Sequence, residues 1–440
     1  MTPERLEELL RTRPSDQRTY NRELPDLAMR RAPVRAGGLP FGWAAAVLVV
    51  GLVAVVGAST FGPWQHGHSG AKPSVAAGTF TSTGSLNEAR AQGSATLLKD
   101  GRVLVVGVSD ATDLATAPSA QLYDPATGKF TLTGSPHLGG LVPIVSVLLQ
   151  SGRVLAIGCD PSYGSSGSCA SSLAEVYDPA TGLFGAVGPI TGSCVLCIAT
   201  RLNDGRVLVA DVTDPNGNLV PSLLFDPSTN TFAATGSMTT VRVSPTATLL
   251  SDGRVLIAGG LDSTSASLAS AELYDPKTGT FSPTGSMTTT RASQTATLLS
   301  DGRVLIAGGT TSGDISARKI LASAELYDPK TGTFSPTGSM TTGRGGQTAT
   351  LLSDGRVLIA GGSDFRVIAE GSASPGYVLS GNVLASAELY DPKTGTFSPT
   401  GSMTTARVGQ TATLLSDGRV LIAGGTGTSD TLSSAALYQP

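Results

Sequence analysis

The chain has 440 residues, a net charge of −3, 14% charged residues, 5% aromatics and 55 glycines. The near-neutral balance gives no reason to expect a nucleic-acid partner. The apolar content is too high for a disordered chain, and the glycine content too high for a mainly helical one.

Residues 1–40 read as a tail. Thr2, Pro3 and the stripe Leu6, Leu9 and Leu10 outline a short helix that Pro14 ends. It is either a solvated segment or a small docking or membrane-surface element. No charge occurs from Ala36 to Trp64, and Phe41 to Phe61 is dominated by Ala, Val, Leu and Gly. As a helix that stretch spans about 31 Å, enough for a hydrocarbon core of about 30 Å. Trp43 and Trp64 sit near its ends, where amphipathic rings favour the interface. Arg30, Arg31 and Arg35 precede it, and the next full positive charge is Lys72. The expectation is one transmembrane helix over 41–62, a cytoplasmic tail over 1–40, a linker over 63–77 and the remainder outside the plasma membrane. The preceding tail is long for a cleaved signal peptide. The membrane, reached through this helix, is the first expected partner.

From residue 78 onward the chain repeats. Gly-Arg-Val recurs with its Gly at 101, 152, 205, 253, 302, 355 and 418, in steps of 51, 53, 48, 49, 53 and 63 residues. Around each copy one grammar returns. An apolar run (Thr295 to Leu299) meets the turn Asp301-Gly302, and a second run (Arg303 to Ala307) ends in Gly308-Gly309. A variable loop, then Ala324-Glu325-Leu326-Tyr327, a turn from Asp328 to Gly332, and Thr333-Phe334-Ser335 complete the unit. Asp-Gly suits a tight hairpin. The fixed φ of Pro329 and the freedom of Gly332 suit the second turn. Four antiparallel strands, A to D, form one blade of an all-β propeller.

The order Tyr-Asp-Pro, Phe, Met, Arg, Gln, Asp-Gly-Arg-Val-Leu-Ile-Ala-Gly-Gly resembles the kelch consensus over residues 78–440, and a period near 50 fits it. That consensus has Trp where Phe334 stands and often His where Gln347 stands. Blades 2 and 3 depart most, with Gly158-Cys159 and Ala210-Asp211 in place of Gly-Gly. The last repeat stops after its strand C, at Leu437 to Pro440, while Gly78 to Ser85 reads as a strand D alone. The N-terminal strand, over 78–86, is expected to complete the last blade and fix the count at seven.

A–B and C–D turns share one face of a propeller, D–A and B–C connections the other. The first face is uniform here. The second carries the length variation, with B–C loops at Leu261 to Leu268, Thr310 to Leu321 and Ser363 to Leu384. Such variation marks a binding surface or idle drift. The same face should carry Arg90, Arg242, Arg291, Arg344 and Arg407, each eleven residues before its turn Gly. In kelch proteins the matching arginine can line the ligand mouth. By that resemblance a basic rim would take an acidic peptide or an anionic glycan. The other reading is that each Arg bonds backbone carbonyls between blades.

Four cysteines, Cys159, Cys169, Cys194 and Cys197, fall in blades 2 and 3. Outside the cytoplasm they are expected as disulfides, 159–169 with 194–197 favoured. The second bridge needs a local turn, because an extended stretch holds its Cα atoms too far apart. A Cys₄ zinc site is the alternative.

Galactose oxidase also has a kelch-type propeller, but its copper chemistry needs two His ligands and a Cys-linked Tyr. The repeats here hold one histidine, His137, with His66 and His68 in the linker. No Ser-His-Asp arrangement, Walker loop or HExxH zinc motif occurs, so no cofactor, metal or catalytic residue is assigned. Glu272, Glu325 and Glu388 recur in strand C, where a solvated strand edge is expected. The function expected is a surface-displayed module for a protein, peptide or glycan. The alternatives are a carbohydrate-active enzyme with Asp364 and Glu370 as first suspects, and a purely structural surface protein.

Overall fold

The structure, a computed structural model, describes residues 78–108, 119–138, 145–159, 172–192, 194, 197–210, 212–213, 218–311, 319–364, 366–369 and 377–440. The expected tail, transmembrane helix and linker, residues 1–77, lie outside them. Among the described residues no helix is long and apolar enough to cross a membrane.

Seven four-stranded antiparallel sheets account for the repeats. We number the blades 1 to 7 by their Gly-Arg-Val copies. In blade 5 the strands are A, Thr295–Leu298; B, Val304–Ala307; C, Ala324–Asp328; and D, Thr333–Pro336. Gly302 closes the A–B turn with its N–H on the Leu299 carbonyl, at a φ of 86° that disfavours any side chain. Strand B is a continuous apolar run because both of its faces are covered. Leu305 and Ala307 pack with Val357, Ile359 and Tyr390 of blade 6, while Val304 and Ile306 pack with Leu250, Leu256 and Leu273 of blade 4. The A strands touch one another in cyclic order, from Ala91–Leu97 through Thr411–Leu414 and back.

The ring closes as the repeat grammar requires. Strand Thr79–Ser82 pairs with Ala435–Gln439 in the register Thr79↔Gln439, Phe80↔Tyr438, Thr81↔Leu437 and Ser82↔Ala436. It therefore serves as strand D of blade 7. Phe80 lies on Tyr438 with ring centroids 4.9 Å apart, as Phe334 lies on Tyr327 at 4.8 Å inside blade 5. The Gly78 carbonyl also accepts bonds from the Gly401 N–H and Thr400 Oγ1, which locks the closing strand onto blade 6.

Adjacent blades are joined at the outer edge by a hydroxyl pair. Thr284 Oγ1 lies 2.9 Å from the Tyr327 hydroxyl, and five further junctions repeat it with Thr83, Thr133, Thr235, Thr337 and Thr400. At the junction of blades 2 and 3 both members change together, to Val187 and Phe225, and both join an apolar cluster. Dropping the pair whole leaves no unsatisfied polar group. Tyr327→Phe alone is expected to cost about 1 kcal/mol in urea unfolding, and adding Thr284→Val to return part of that loss.

Candidate functional site

The two faces of the ring differ in kind. On the A–B face six of the seven turns are closed by their own exposed ion pair, such as Asp301 with Arg303 or Asp354 with Arg356, both at 2.6 Å, and in blade 2 Ser151 takes the aspartate's place beside Arg153. Partial burial pushes the Asp301 carboxyl up, but the hydrogen bonds from Arg303 outweigh it and hold the group below its usual range. Arg254 donates to the Pro329 carbonyl at 3.2 Å, so one blade's A–B turn meets the next blade's C–D turn. The turns on this face share one length and nearly one sequence, which leaves little for a partner to distinguish.

On the other face the five arginines do not form a rim. Arg90, Arg242, Arg291, Arg344 and Arg407 are each 0–2% exposed. Arg291 shows the arrangement. Its Nη1 donates to the Gly308 and Ser323 carbonyls of its own blade, and its Nη2 to Ser323 Oγ and to Glu325 Oε1 at 3.0 Å. Its own carbonyl accepts the Gly260 N–H of blade 4. The side chain thus spans the opening between strands B and C, while the backbone ties two blades together. Burial lowers the Arg291 pKa, and the Glu325 carboxylate opposes that shift. The arginines therefore act inside the wall, where a ligand at the surface does not reach them.

The strand-C glutamates, expected at a solvated strand edge, also lie inside. Glu272, Glu325 and Glu388 are buried and paired with Arg242, Arg291 and Arg344 at 3.0–3.1 Å. Each also accepts an N–H from the D–A connection, at Thr239, Thr288 or Thr341. Glycine completes this latch. Gly308 and Gly309 hold φ of 64° and 91°, and a Cβ at Gly309 would sit 2.6 Å from the Ala292 carbonyl oxygen.

Blades 2 and 3 vary the latch. In blade 2 Glu175 is buried without an arginine in the matching slot and meets His137 Nδ1 at 2.9 Å. In blade 3 Cys194 fills the arginine slot and Cys197 the slot of Gln294, and the two form a disulfide with Cα atoms 4.8 Å apart. The stretch is therefore not extended, and a covalent bond replaces the polar latch. A Cys₄ zinc site is overturned, since these two thiols are consumed. Cys169 and the proposed 159–169 bridge lie outside the described residues.

With the arginines inside, the B–C connections supply the variable surface. In blade 4 the connection is a tight loop held by Asp262, which accepts the N–H groups of Thr264 and Ala266. Blades 5 and 6 instead project two-stranded hairpins, Thr310–Thr311 with Lys319–Ile320 and Arg366–Ala369 with Tyr377–Ser380. They rise from neighbouring blades of the same ring. In the sequence both look like loops. The signal for the second was available, as two short apolar runs flank a Gly-Ser-Ala-Ser-Pro-Gly stretch. Of the suspected carboxylates, Asp364 accepts the Asn382 N–H at the hairpin base, and Glu370 lies outside the described residues.

Comparison with known proteins agrees with this geometry. The family model for the Kelch motif matches residues 242–288 and 291–341, the whole of the Arg-to-Met unit in two successive repeats. The chain carries Kelch motifs within a seven-bladed β-propeller. Among solved structures it is similar to one titled a novel fungal alcohol oxidase with catalytic diversity among the AA5 family, in complex with copper. That similarity has a TM-score of 0.60 at 17% identity, over 82% of this chain and 75% of that one. At such identity the likeness shows the fold alone. No curated protein matches the chain. The residues of this kelch propeller do not fit a copper centre of the oxidase type. Its repeats hold a single histidine, His137, which is engaged by Glu175, and no group of three His, Cys, Asp or Glu side chains converges among the described residues.

Proposed function

We propose that this kelch propeller is a binding module held outside the cytoplasm by a transmembrane helix over residues 41–62. It takes a protein, peptide or glycan on the face that carries the B–C and D–A connections. One observation carries the reading: the two faces share a single framework, yet connection length varies from blade to blade only on this one, and two of its connections are paired hairpins on adjacent blades 5 and 6. Variation on a rigid ring supports a partner that reads connection shape. The unbroken uncharged run before the repeats supports the anchor. A ring closed by a strand at residue 79 would keep the proposed anchor within a short linker of blade 7.

The test is a glycan and peptide array screened with the full-length chain, followed by a loop exchange. Replacing residues 365–380 with the short blade 7 connection is expected to weaken the recovered ligand at least ~10-fold, about 1.4 kcal/mol. Lys277→Glu on the turn face should leave binding unchanged. Binding that survives the exchange and falls with Lys277→Glu would place the site on the opposite face.

A further inference from the structure

The blades do not all balance their buried charge. In blades 4, 5 and 6 each buried guanidinium meets a buried carboxylate. In blades 5 and 6 that carboxylate also accepts two successive amide N–H groups, of Thr288 and Thr289 and of Thr341 and Thr342. Blade 1 has Gln121 in the glutamate position, and Glu88 supplies the charge to Arg90 at 3.3 Å. Blade 7 keeps Met403, Thr404, Thr405 and Arg407 in register but has Ala436 where its neighbours have glutamate.

Arg407 is 1% exposed and Ala436 2%. Arg407 holds its usual framework bonds, from Nη1 to the Gly424 and Ser434 carbonyls and from Nη2 to Ser434 Oγ, and its Nε turns to the Thr405 carbonyl at 3.4 Å. Among the described residues no carboxylate lies within ion-pair distance of it, and no backbone acceptor faces the amides of Thr404 and Thr405. Burial lowers the Arg407 pKa to about 10 with no carboxylate opposing the shift. A buried cation without a partner is costly, and two amides beside a guanidinium form a concentrated donor set.

We propose that the Arg407–Ala436 junction binds one small monovalent anion, a halide or a lone carboxylate. The anion sits between the Arg407 guanidinium and the amides of Thr404 and Thr405, where the Glu388 carboxylate sits one blade earlier. Ala436 carries only a methyl where blades 4 to 6 have a glutamate side chain.

Two measurements on the full-length chain test this: the chloride NMR linewidth, and Tm in sodium chloride against sodium gluconate at equal ionic strength. The wild type is expected to show saturable excess broadening and a Tm about 2 °C or more higher in chloride. Ala436→Glu should lose both responses and melt above the wild type at low chloride. Ala436→Gln fills the same space and should also lose both, which covers the case in which the glutamate variant folds poorly. Displacement of chloride by formate extends the site to carboxylates, and its failure confines the site to halides. Identical linewidths and identical salt responses in wild type and Ala436→Gln would overturn the proposal.

Discussion

Arg291→Ala is expected to destabilise the propeller by about 3–5 kcal/mol, because it leaves the Glu325 charge buried and unpaired. Glu325 is 1% exposed, and it would keep only the N–H groups of Thr288 and Thr289. The same variant also frees the Gly308 and Ser323 carbonyls from Nη1. The loss belongs to the unpaired charge more than to the pair, so Arg291→Leu with Glu325→Leu should be far milder than either single change. Urea unfolding of the four proteins gives the coupling directly. Asp301→Ala, at the exposed turn pair of the same blade, should cost under about 1 kcal/mol. If Arg291 were instead a ligand-facing residue, its removal would leave stability nearly unchanged.

Removing residues 78–86 is expected to have the larger effect. It strips strand D from blade 7, takes Phe80 off Tyr438, and exposes the edge of Ala435–Gln439 for pairing with another chain. The shortened protein should aggregate or run as oligomers in size-exclusion chromatography. Restoring the same nine residues after Gln439, through the Asp-Pro-Lys-Thr-Gly turn used by blades 4 to 6, should return a monodisperse protein, since each of those blades joins strands C and D this way. A shortened chain that remains monomeric with an unchanged Tm would mean that the strand contributes nothing to closure.

The framework was legible because its cues are local. Asp301-Gly302 specifies a hairpin, Asp328 to Gly332 specifies the next turn, and the unpaired strand D at one end answers the missing one at the other. The direction of the arginines was not legible in the same way. A charge repeated in every unit gives its position along a strand but not whether that position faces water. Glu325 illustrates the difficulty. In an open sheet the alternation Ala324-Glu325-Leu326-Tyr327 would put the carboxylate on a wet face, but in a propeller both faces of a blade are covered. A usable signal lay in co-occurrence. Arg and Glu appear together in blades 4, 5 and 6, and blade 3 lacks both, with Cys194 and Leu223 in their places. Two residues kept or lost together in four of seven repeats point to a contact, although blades 1, 2 and 7, which keep only one of the two, blur the signal. Tyr327 with Thr284, against Phe225 with Val187, carries the same lesson. The hairpins on blades 5 and 6 were read as loops because connection length dominated their appearance, although the blade 6 segment has strand-like runs on both sides of its turn.

The closed ring depends on Thr79–Ser82 being a true member of the last blade. Native-state hydrogen exchange on the full-length protein measures this directly. The amides of Thr79 to Ser82 are predicted to exchange as slowly as those of Thr280 to Ser282, the equivalent strand D of blade 4, and to lose protection only with the whole ring. Exchange at the rate of an unstructured segment, with Ala435 to Gln439 equally unprotected, would contradict the closed seven-bladed ring.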